Sequence, residues 1–144
     1  MQLPVPREAL AAAGHRFSQA NATRIDLAQF DEIMNHRLTR CDPDELSAAI
    51  QESITGDEAD SAYRQSAYFA LGKKIDNGLL DFFHERLRIE LAADEIEACY
   101  QIMVALNDLD EVIFAPEREG GAVHEQEMNR RDAGAYLDTL GRQA

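Results

Sequence analysis

The chain has 144 residues, 45% of them apolar, which suits one globular domain over residues 1–144 and excludes wholesale disorder. Its net charge of −13 argues against a nucleic-acid binder, because phosphates are held by Lys and Arg, and against docking on an anionic membrane surface. Cys41 and Cys99 lie in no CxxC pattern, and the start of the chain lacks a signal peptide's basic and apolar regions, so reduced thiols and a cytoplasmic location are expected.

Taken in chain order, the segments predict about seven helices. "REALAAAGHRFSQAN" has Leu10, Ala13 and Phe17 at helical spacing. "DLAQFDEIMNHRLTR" aligns Leu27, Phe30, Met34 and Leu38, with Asp26 placed to cap. "CDPDELSAAIQESITG" carries Asp42 as a cap, Pro43 at the first helical position and Leu46, Ile50 and Ile54 on one line, with Gly56 to end it. These three helices fill residues 1–56.

The fourth helix, "DEADSAYRQSAYFALGKKI", takes Asp57 as its expected cap, and its apolar residues nearly encircle it. Asn77 and Gly78 break the chain before "LLDFFHERLRIEL", where Leu80, Phe83, Leu87 and Leu91 make a stripe. The sixth helix, "ADEIEACYQIMVALNDL", has Asp94 as its expected cap and Ile96, Tyr100, Met103 and Leu106 as core candidates. Pro116, Gly120 and Gly121 make most of residues 110–127 a loop, and "MNRRDAGAYLDTLGRQ" closes as a last helix. Period-two alternation is missing over any useful length, and no run approaches a membrane span, so the class is all-α.

Three pieces recur: "ALGKKID", "ALNDLD" and "YLDTLG". Their anchoring leucines, Leu71, Leu106 and Leu137, are 35 and 31 residues apart, in the period range of helical repeats. On these residues the stretch 57–141 resembles the HEAT-like family of bacterial helical-repeat proteins. Pro116 and the Gly120-Gly121 pair depart from the second unit's pattern, and the third unit has room for one helix. The resemblance implies an α-solenoid-like stack of helix pairs, with an irregular helical bundle as the alternative. A mid-stack helix needs apolar residues around most of its circumference. The unpaired last helix would then need cover, from the N-terminal helices or from a second copy of the chain.

Chemistry is sparse. His15, His36, His84 and His124 form no ligand pair, and no nucleophile elbow, phosphate loop or dinucleotide fingerprint occurs. Cys99 sits mid-helix among apolar residues and reads as core, and Tyr63, Tyr68, Tyr100 and Tyr136 read as half-buried packing. No catalytic residue, metal site or cofactor is expected. Charge is the exception: from Glu90 to Glu127 eleven acidic residues face one basic residue, Arg118, a local charge of −10 out of −13. A solvated face is one reading of it, and a docking surface for a basic protein is the other. Asp108, Asp110 and Glu111, presented together by an inter-helix turn, are the first candidates, followed by Glu117 and Glu119. The expected function is a non-enzymatic protein-binding module, with a toxin-neutralising immunity protein as one setting; the alternative is an enzyme or accessory subunit of HEAT-like lyase type.

Overall fold

The computed structural model describes Val5, residues 7–11, 13, 14 and 17, residues 42–118 and residues 121–143. Among these the protein is all-helical, without strands. Five α-helices are bounded: α1 Pro43–Thr55, α2 Ser61–Gly72, α3 Leu80–Ala92, α4 Ile96–Asp108 and α5 Gln126–Gln143. The chain divides into two compact units, Met1–Ile75 and Asp76–Ala144. The expected helix with Leu27, Phe30, Met34 and Leu38, its cap Asp26, and Cys41, His15, His36 and Glu119 lie outside the described residues.

In the first unit, α1 begins as its sequence dictates. The Asp42 side chain accepts from the Glu45 backbone N–H at 3.0 Å, satisfying one of the helix's orphan donors. Leu46, Ile50 and Ile54 share one face and are buried, and α1 packs against α2. The expected cap of α2, Asp57, is not used: Gly56 to Ala59 closes a turn of its own, so the helix starts later and Asp60 accepts from the Tyr63 N–H at 2.8 Å. Nor is α2 buried all round. Ala67, Tyr68, Ala70 and Leu71 are buried on one side, while Phe69 is 53% exposed with the Lys73 ammonium 4.5 Å from its ring centre.

Helical residues near the start of the chain join this core. Leu10, Ala13 and Phe17 are buried, as their spacing predicts. A Cβ built on Gly14 would stand 3.5 Å from the Ala70 Cα, so small residues here bring two backbones close. The Tyr63 hydroxyl donates to the Val5 carbonyl at 2.6 Å, and Lys74 pairs with Asp44 at 2.8 Å. The unit ends at Ile75, a half-exposed β-branched residue with φ of 50°, in the left-handed region.

In the second unit, a 3-10 turn over Asn77–Leu79, capped by Asp76, leads into α3. The helices α3, α4 and α5 each pack on the other two. Their shared core holds Phe83, Leu87, Ile96, Ile102, Met103, Leu106, Ala133 and Tyr136. Asp94 is not the cap of α4. It ends α3 in the left-handed conformation, φ 59°, with its N–H on the Leu91 carbonyl and the Glu95 N–H on the Glu90 carbonyl. Asp110, φ 65°, ends α4 the same way, through Asn107 and Leu106. Both are Schellman ends, with Asp at the position glycine usually takes.

The three recurrent leucines do not share one environment. Leu71 and Leu106 are fully buried at the ends of α2 and α4, whereas Leu137 is half-buried inside α5, which runs on through Gly141.

Candidate functional site

The connection from α4 to α5 is long, yet it is held from within by one cation. Arg118 follows Pro116 in a 3-10 turn, and its side chain is only 1% exposed. Its Nη1 donates to Asp132 Oδ2 at 2.5 Å, and its Nη2 donates to Glu125 Oε1 at 3.2 Å and to Asn129 Oδ1 at 2.9 Å. Asp132 Oδ2 also accepts the Ala115 N–H at 3.1 Å, and Asn129 Nδ2 donates to the Ala122 carbonyl at 2.9 Å. Burial opposes the charge on Arg118, but the hydrogen bonds and proximity of Asp132 and Glu125 outweigh it and raise its pKa. Arg118 Nε is buried without a hydrogen-bond partner among the described residues, while the guanidinium stands 5.5 Å from the centre of the Phe114 ring.

Between this connection and α5 lies an open groove of about 400 Å³. Residues 111–116 form one wall, and Asp132, Ala135, Tyr136, Thr139 and Leu140 form the other. Position 121 braces the first wall: any Cβ there would run into the Phe114 ring, so glycine is required for that approach. Tyr100 closes behind, its hydroxyl donating to the Gly121 carbonyl at 3.2 Å.

At the groove's rim, three side chains from three elements form a line. Tyr136 donates its only hydroxyl proton to Glu111 Oε1 at 2.6 Å. His84 Nε2, 2.8 Å from the same hydroxyl oxygen, must therefore be the donor of that second bond. Burial pulls the His84 pKa below its ordinary value of 6.5, against the attraction of Glu111, and so favours the neutral imidazole; the hydrogen-bond geometry puts a proton on Nε2. Burial, reinforced by Glu111, pushes the Tyr136 hydroxyl well above its ordinary value. A neutral imidazole and a phenol held protonated are suited to fixing a carboxylate rather than to supplying a nucleophile.

The residues singled out by charge fall into two groups. Asp108, Asp110 and Glu117 are exposed and have no ion pair among the described residues. Asp108 and Asp110 directly precede the groove wall 111–116 in the chain, and Glu117 directly follows it. Glu111 differs, being two-thirds buried and held by Tyr136. Sequence reasoning missed the joining of His84, Tyr136 and Glu111, because the bonds span 52 and 25 residues. Arg118 did carry a signal, as the lone base in an acidic stretch.

Cys99 is buried in the core, where desolvation first and then Glu90 and Asp94 push its thiol up to about 12. His124 is exposed. No group of metal-ligating side chains, and no helix long and apolar enough to cross a membrane, occurs among the described residues. Comparison of the chain with models of protein families, with curated proteins and with solved structures gave no match.

Proposed function

We propose that the protein is a non-enzymatic binding module whose acidic flank docks on a basic protein. One observation carries the reading: the only cation of the stretch 90–127, Arg118, is buried against Asp132 and Glu125, so it pairs with none of Asp108, Asp110 and Glu117. Asp108, Asp110 and Glu117 are left as an exposed negative edge with no ion pair among the described residues. Such an edge speeds encounter with a positive surface and selects against acidic partners.

A toxin-neutralising immunity role is the setting we assign to this module, since a small acidic binder can cover a toxin's basic cleft. The architecture we carry into the proposal is the HEAT-like stack over residues 57–141, with its units anchored on Leu71, Leu106 and Leu137. Left-handed residues four positions after an anchoring leucine, Ile75 after Leu71 and Asp110 after Leu106, support it. The alternative, a HEAT-like lyase or its accessory subunit, draws less support, because Tyr136, the acid of the His84–Tyr136–Glu111 line, is held protonated by burial with its proton committed to Glu111.

The test is affinity capture from the source cells with the wild type and with a variant carrying Asp108→Asn, Asp110→Asn and Glu117→Gln. Basic proteins retained by the wild type and lost by the variant are the expected result. A partner retained equally by both overturns the electrostatic docking.

A further inference from the structure

Resting on that docking reading, we infer that the groove receives an apolar side chain from the basic partner, in a segment where Lys or Arg is its neighbour, and that Glu111 receives the neighbouring cation. The cavity, about 400 Å³, is in the size range of ligand pockets and is lined largely by Val112, Ile113, Phe114, Pro116, Ala135 and Leu140. Val112 on its rim is 81% exposed, the most exposed large apolar side chain among the described residues. An apolar groove with such a rim gains by covering it.

Charge chooses the occupant. Two carboxylates line the groove, and they are not equivalent. Asp132 is 5% exposed and engaged by Arg118 and the Ala115 N–H, so it has little to offer a ligand. Glu111 is 33% exposed; one oxygen is held by Tyr136, and the other has no hydrogen-bond partner among the described residues. The tyrosine thus fixes the carboxylate's direction at the groove without neutralising it. Outside the groove the chain adds Asp108 and Asp110 at one end of the wall and Glu117 at the other. A Lys or Arg beside the apolar anchor meets this array, and its own aliphatic stem suits the apolar lining. A second copy of the chain, at −13, is repelled, and so is a phosphate. Charge sets the rate of encounter, and the apolar anchor sets how long the complex lasts.

The test is an NMR titration of the full chain, following its amide and methyl resonances, with three blocked tetrapeptides: Lys-Leu-Phe-Lys, Lys-Gly-Gly-Lys and Glu-Leu-Phe-Glu. The first should shift the Val112, Ile113, Ala135 and Leu140 signals saturably, and the other two should not. Glu111→Gln, which keeps an acceptor for Tyr136 and removes the charge, should weaken the first peptide by about threefold or more. If both lysine peptides shift only the amides of Asp108, Asp110 and Glu117, the groove inference falls and the docking reading stands. If neither lysine peptide shifts any signal, both fall. If Glu-Leu-Phe-Glu saturates the groove as well as Lys-Leu-Phe-Lys does, the role given to Glu111 is overturned.

Discussion

Arg118 and Asp132 meet at 2.5 Å with 1% and 5% of their side chains exposed, and this pair ties the α4–α5 connection to the last helix. Removing one member strands the other charge away from water. Asp132→Ala should therefore cost about 3–5 kcal/mol, while a double change of Arg118→Met with Asp132→Leu should cost much less. Urea unfolding of the three proteins checks it. Equal losses for the single and double variants would show that packing, not charge, holds the connection.

The recurrent leucines should separate by burial rather than by sequence pattern. Leu71→Ala and Leu106→Ala empty fully buried sites and should each cost about 2–5 kcal/mol. Leu137, half-buried within α5, should cost distinctly less. Unfolding midpoints of the three variants decide this. A loss at Leu137 as large as at Leu106 would restore the equivalence that the sequence suggests.

Ile75 holds a β-branched side chain in left-handed backbone, while 53% exposed and therefore gaining little from burial. Glycine would relieve about 1–2 kcal/mol of local conflict against about 0.5–1 kcal/mol of added chain entropy. Ile75→Gly should raise stability by about 0.5–1 kcal/mol, seen as a higher denaturant midpoint at unchanged slope. A lower midpoint would mean that the side chain makes a contact worth more than its strain.

His84 gives the second unit a dependence on pH. Its folded pKa lies below the ordinary 6.5, through burial first, with Glu111 and Asp81 pulling upward and Arg88 pushing down. The unfolded chain takes up the proton first, so the stability contributed by neutral His84 is complete above 6.5 and is lost as pH falls through the folded value. The stability difference between wild type and His84→Gln should shrink from about pH 7.5 to about pH 5. A constant difference would mean that the imidazole titrates alike in both states.

Local chemistry made much of the fold readable. Leu46, Ile50 and Ile54 recur every four residues and bury together; Asp42 before Pro43 caps because the helix offers orphan donors there. The errors are also local in origin. Asp57 and Asp60 are both credible caps, and only the turn closed by Gly56 and Ala59 chooses between them. Asp94 looks like a cap, yet aspartate also tolerates left-handed backbone, and the end of α3 claims it. The circumference of α2 misled because Phe69 shares the helix with Ala67 and Leu71 but faces water. The negative edge of the candidate site was legible in the charge count. Its groove was not, since the meeting of His84, Glu111 and Tyr136 depends on how α3, α5 and the α4–α5 connection pack.

The docking account is tested most directly by the association rate of the captured basic partner, measured by stopped flow at low and at physiological ionic strength. The wild type should associate at least tenfold faster at low salt, and the variant with Asp108→Asn, Asp110→Asn and Glu117→Gln should be slower and nearly insensitive to salt. Equal rates and equal salt dependence for the two proteins would contradict it.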